Sequence, residues 1–303
     1  MAAGTLLTLG HGYSAAALGR LLLAEGWRVI GATRSTARAE ALRAEGVEPF
    51  VWHGGDAGAA LDAADHLLIS AAPDPGGDPV LRDLGPVLWA AADRMRWVGY
   101  LSTTGVYGDH QGGWVDEDTP PNPAPGRSAA RVEAERAWLE LRVAAGLPVH
   151  IFRLAGIYGP GRGPFEKLRD GTARRIVKPG QIFSRIHVED IARTLRASID
   201  RPDPGRIYNV CDDEPAPPQE VTAYAARLLG IDPPPEVDYA TADLSPMARS
   251  FYAESKRTSN RRIREELGVS LAYPTYREGL RAVLEAERRG EGGALPREVT
   301  RSA

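Results

Sequence analysis

Short apolar runs alternate with amphipathic stretches through the first half of the chain. Residues 6–9, 27–33, 48–52, 66–70, 97–102 and 149–154 read as strands. The run at 66–70 is apolar at Leu67, Leu68 and Ile69, as a strand buried on both faces must be. Between these runs lie helical patterns at 15–25, 37–45, 79–93 and 129–144, the first with an apolar face at Leu18, Leu21 and Leu22. Strand and helix in strict alternation predict stacked β-α units and a parallel sheet. The Gly-, Pro- and acid-rich stretch 108–127 is predicted to be a long loop.

After residue 155 the pattern loosens, with punctuation at Gly159-Pro160-Gly161 and Gly163-Pro164. A strand is expected at 207–210 and helices at 219–229, 261–266 and 277–289. The resulting expectation is an α/β fold. A doubly wound parallel sheet of the Rossmann type covers residues 1–155, completed by segments near 185–212. A smaller, mostly helical substrate region covers 156–289, and 290–303 form a flexible tail.

Composition narrows the function classes. The chain has 303 residues, 43% hydrophobic and 25% charged, with a net charge of −3, so disorder and a coiled coil are excluded. No dense basic block is present, and nucleic acid is not an expected partner. No run of 18 apolar residues suggests a membrane span, and the N-terminus lacks the charge of a secretory signal. The single cysteine, Cys211, cannot form an internal disulfide, which fits a reducing cytoplasm. The histidines show no metal-ligand spacing and there is no G-x-S-x-G elbow, so neither a metal nor a hydrolase triad is expected.

The informative chemistry begins at Gly10-His11-Gly12-Tyr13-Ser14-Ala15, between the first strand and the first helix. A pyrophosphate needs a tight turn, close backbone approach and the exposed N–H groups of a helix start. Gly10, Gly12 and the small Ala15 meet the G-x-G-x-x-G/A pattern in its required strand–turn–helix setting. At the end of the second strand stand Thr33-Arg34-Ser35, with no acid before Glu40. A carboxylate there would repel a 2′-phosphate, whereas a guanidinium and hydroxyls suit one. Arg34 and Ser35 thus favour NADP over NAD.

With these residues the sequence resembles an atypical extended short-chain dehydrogenase/reductase of the NAD-dependent epimerase/dehydratase family. Gly55-Asp56 resembles the family's adenine-contacting aspartate. The segment from Leu101 to Gly108, ending Val106-Tyr107-Gly108, resembles its fifth-strand motif. The segment from Arg153 to Gly161 resembles the motif passing nicotinamide and substrate. Arg185-Ile186-His187-Val188-Glu189-Asp190, followed by Tyr208-Asn209-Val210, resembles the motifs of the substrate half. The resemblance implies cofactor contacts at Gly10, Gly12, Tyr13, Ser14, Ala15, Arg34, Ser35, Asp56, Ala71, Ser102 and Arg131. It also implies a small-molecule substrate and a homodimer formed through the helices at 79–93 and 129–144.

The departure from the family lies at its catalytic Tyr and the Lys four residues later. Aligned on Glu135, those positions hold Arg127 and Arg131, and residues 108–157 contain no tyrosine and no lysine. Thr103 remains from the usual triad. Tyr107, Tyr158 and His187 are candidate acids, of which Tyr158 and His187 stand nearest the expected substrate, and Arg162 and Arg185 are candidate binders of phosphate or carboxylate. Two readings follow. One is an NAD(P)-dependent, epimerase/dehydratase-like oxidoreductase acting on a carbonyl or secondary alcohol, such as that of a sugar nucleotide. The other is a non-catalytic NAD(P)-binding sensor or partner-binding protein.

Overall fold

Seven strands form one parallel sheet in the computed structural model, which describes residues 3–52 and 57–290. They are β1 (Thr5–Leu9), β2 (Arg28–Thr33), β3 (Glu48–Val51), β4 (His66–Ile69), β5 (Trp97–Thr103), and two further strands, Val149–Leu154 and Ile207–Val210. Across the sheet the order is β3, β2, β1, β4, β5, Val149–Leu154, Ile207–Val210. Each expected strand is present, within two residues at every end. Parallel neighbours need a crossover, supplied here by helices. These are α1 (Tyr13–Ala24), α2 (Thr36–Ala44), α3 (Ala57–Asp62), α4 (Pro79–Ala91) and α5 (Arg127–Ala145).

Both faces of the sheet are covered. Leu18 and Leu22 of α1 and Leu42 of α2 pack with Ile191, Leu195 and Ile199 on one side. Leu61, Leu84, Leu88 and Trp138 of α3, α4 and α5 pack on Leu7, Leu67, Val98 and Ile151 on the other. Burying apolar area on both faces is what fixes such a sheet, and it explains why β4 is buried at every position. The chain leaves β1 toward β2 and β3 and then returns to β4 on the other side of β1. That reversal opens a crevice at the strand C-termini between β1 and β4, where ligands of such sheets bind.

The later segments differ from the expectation in their helices, Phe165–Arg169 and Pro246–Tyr252 among them, and in their short strands. A helix absent from the sequence reading, Val188–Asp200, packs along α1. Short parallel strand pairs also form, Gly156–Tyr158 with Arg185–His187 and Arg175–Val177 with Glu236–Asp238. The loop 108–127 contains a further short strand, Trp114–Val115, paired with Arg257–Thr258. Strands of two or three residues carry no periodicity of their own. They exist because tertiary packing brings a partner to each.

Candidate functional site

Gly10 closes the turn after β1 with φ +94°, and a Cβ there would stand 2.9 Å from the backbone nitrogen of Ala71, the second residue after β4. Only glycine fits both demands. Ala71 N and Ser70 N both donate to Leu9 O, at 3.1 and 2.9 Å, which ties the two strand ends together. Gly12 is the N-cap of α1, no side chain caps the helix there, and a Cβ on Gly12 would meet nothing within 4 Å. The start of α1 therefore presents backbone N–H groups to open space, with Ser14 and Ala15 buried behind it. This cradle fits a dinucleotide pyrophosphate. His11 lies beneath the turn, where Nδ1 meets Thr8 Oγ1 at 2.7 Å and burial, with Arg38 and Arg20, lowers its pKa to about 4.

At the end of β2 the Ser35 hydroxyl caps α2 by accepting from Arg38 N at 3.3 Å, and no acid occupies the first turn of that helix. Arg34 is exposed beside it. The other expected adenosine contact, Asp56, lies outside the described residues.

At the far end of the crevice, β5 delivers Ser102 and Thr103. Ser102 is buried and its Oγ donates to Glu135 Oε1 of α5 at 2.5 Å. Glu135 is itself paired with Arg153, which reaches Tyr107 Oη at 2.9 Å, and that hydroxyl donates to Asn209 Oδ1 at 2.7 Å. This buried chain ties α5, β5 and both last strands of the sheet together. Burial pushes the Tyr107 phenol up to about 12 against the pull of Arg153, so Tyr107 is a structural hydroxyl at neutral pH. Thr103 Oγ1 accepts from Gly105 N at 3.1 Å, which leaves its own proton to donate. Ser128 was not singled out from sequence. Its Oγ lies 2.9 Å from the place a Gly105 Cβ would take, beside Thr103, and its place one residue past Arg127 was the available signal. Arg131 donates to Leu101 O at 2.7 Å and to Tyr100 Oη at 3.1 Å, which holds its guanidinium against β5.

Tyr158 and His187 come together in the later half of the chain, with ring centroids 5.3 Å apart. Tyr158 is buried, its hydroxyl reaches Thr275 O at 3.4 Å, and burial pushes its pKa up. His187 caps the helix Val188–Asp200 through Nδ1, which accepts from Glu189 N at 3.3 Å, and burial lowers its pKa to about 4. Tyr13 crosses from the glycine turn to this half, its hydroxyl donating to Pro160 O at 2.9 Å. A separate cavity of about 520 Å³, lined by Leu168, Ile231 and Val237 among others, shares no residue with the glycine turn.

Residues 87–211 match the NAD dependent epimerase/dehydratase family. The chain is 31% identical over 281 residues to protein YeeZ of Escherichia coli K12, covering 88% of this chain and 95% of that protein. This chain belongs to the NAD-dependent epimerase/dehydratase family. It is also 61% identical to a functionally unknown conserved protein from Silicibacter pomeroyi, whose structure superposes with a TM-score of 0.89 and covers 93% of this chain and 98% of that one. A more distant fold relative is the UDP-glucuronic acid 4-epimerase of Bacillus cereus in complex with UDP-glucuronic acid and NAD. It is 16% identical, with a TM-score of 0.75 over 94% of this chain and 99% of that one. The chain carries arginine at 127 and 131, and the first turn of α5 begins at Arg127.

Proposed function

We propose that this family member is an NADP-dependent oxidoreductase of the epimerase/dehydratase type, acting on a carbonyl or secondary alcohol of a small molecule, a sugar nucleotide above all. The observation that carries the reading is the open, uncapped start of α1 over Gly12, reached through a turn that only Gly10 permits. Backbone N–H groups there would hold the pyrophosphate, and Arg34 with the Ser35 hydroxyl would take a 2′-phosphate. When bound, the nicotinamide supplies or accepts a hydride. Thr103 holds a substrate oxygen by donating the proton that its Gly105 contact leaves available. Ser102 and Glu135 keep the end of β5 and α5 in fixed register beside it. The contacts of Arg131 to Leu101 O and Tyr100 Oη hold it as a positioning group.

A second reading, a non-catalytic NAD(P) sensor, is favoured by one observation: arginine stands at both 127 and 131, where the resemblance places the family's Tyr-Lys pair. Nicotinamide absorbance separates the two. With NADP and UDP-glucose or dTDP-glucose, the enzyme reading expects slow hydride transfer by the wild type. The variant Arg127→Tyr/Arg131→Lys should then run faster by roughly a hundredfold, the usual scale of a general acid–base pair. Loss of transfer in Thr103→Val would place the oxygen contact. Absence of transfer in both wild type and restored variant, each still binding NADPH, would leave the sensor.

A further inference from the structure

We propose that Ser128 is a second hydroxyl of the reaction centre, holding the same substrate oxygen as Thr103. The proposal rests on the oxidoreductase reading above and adds to it a residue of α5 one place past Arg127. Ser128 lies on the face of α5 that meets β5. Arg131, three residues on, donates to Leu101 O at 2.7 Å, and Glu135, four further, accepts from Ser102 Oγ at 2.5 Å. Positions spaced by three and four share one side of a helix. The side of α5 that packs on β5 therefore begins with Ser128, whereas Arg127 is exposed.

The two hydroxyls meet at Gly105. A Cβ there would stand 2.9 Å from Ser128 Oγ and 3.4 Å from Thr103 Oγ1, so both oxygens border one gap that the glycine leaves open. Ser102 and Val106 are buried on either side, while Thr103, Gly105 and Ser128 keep partial exposure. Thr103 is the last residue of β5, which puts the gap at the C-terminal edge of the sheet, where ligands of such sheets bind. The hydrogen-bonding capacity is complementary. Thr103 Oγ1 accepts from Gly105 N at 3.1 Å and keeps its proton to give. Among the described residues no hydrogen bond engages the Ser128 hydroxyl, which both gives and accepts. A carbonyl oxygen has two lone pairs and takes a proton from each hydroxyl. A secondary alcohol accepts from Thr103 and gives its own proton to Ser128. Two contacts fix the plane of the carbonyl as well as its distance, and such orientation is what transfer to a cofactor requires.

A double-mutant cycle on the full chain tests this, with hydride transfer from dTDP-glucose or UDP-glucose to NADP followed by nicotinamide absorbance. Ser128→Ala should slow transfer by about tenfold, the scale of one lost hydrogen bond, and Ser128→Thr should recover most of it. A substrate oxygen freed from one hydroxyl loses its alignment to the other. The double variant Thr103→Val/Ser128→Ala should therefore fall well short of the product of the two single losses. Losses that multiply in full would show that the two residues act independently and would overturn the shared contact. So would an unchanged rate in Ser128→Ala, or a calorimetric NADPH affinity that falls in step with its rate, which would assign Ser128 to the cofactor. A wild type that binds NADPH and transfers no hydride would instead sink the oxidoreductase reading itself, a result distinct from either outcome of the cycle.

Discussion

His150, in the strand Val149–Leu154, shows how burial and partners settle a single residue's chemistry. Its Nε2 accepts from Asp203 N at 2.9 Å and its Nδ1 lies 3.3 Å from Val98 O, a pairing that only the neutral Nδ1–H tautomer satisfies. Burial lowers its pKa to about 4, while the unfolded chain keeps the ordinary value of 6.5. Between those values the unfolded state binds more protons, so the stability contributed by neutral His150 is lost as pH falls from about 6.5 toward 4. His150→Gln should flatten the acid limb of a denaturation series by up to ~1.4 kcal/mol per pH unit. An unchanged slope would show that His150 titrates normally. At this scale the glycine turn was legible, because the pattern that binds a pyrophosphate is local in sequence. The packing of Tyr158 against Thr275 and the capping role of His187 were not legible. Both depend on residues distant in sequence or on the helix Val188–Asp200, which the sequence reading did not include.

Among the elements, α5 carries the clearest energetic consequence. Glu135 is buried and meets Arg153 at 2.7 Å, with Ser102 donating to the same carboxylate. Removing one partner of such a pair leaves an uncompensated buried charge. Glu135→Ala should therefore cost ~3–5 kcal/mol in urea unfolding and loosen α5 from β5. A loss below about 1 kcal/mol would show the pair to be solvated. The helices α1 and α4 and the central strands were readable from sequence. The helix Val188–Asp200 was read only as a motif, although Glu189 and Asp190 in its first turn are a start signal. Its cap is a histidine, outside the usual set of capping residues, which hid that signal.

In the whole molecule, the reversal of strand order at β1 and β4 and the glycine turn that closes it fix where a cofactor would lie. No helix among the described residues is long and apolar enough to cross a membrane. On the outer surface, α4 exposes Trp89 at 54% and α5 exposes Val143 at 78%. A homodimer through these two helices would cover both side chains. Trp89→Glu with Val143→Glu should then convert a sedimenting dimer to monomer, and an unchanged mass would remove that interface. The arginines at 127 and 131 were legible in sequence, while the placement of Ser128 beside Thr103 required the fold. The central claim, an NADP site at the glycine turn and the end of β2, is tested most directly by calorimetric titration of the wild type and Arg34→Asp with NADPH and NADH. The expected result is tight NADPH binding that falls at least about tenfold in Arg34→Asp, with NADH affinity little changed or improved. Failure of the wild type to bind either nucleotide, or equal binding of NADPH by both proteins, would contradict it.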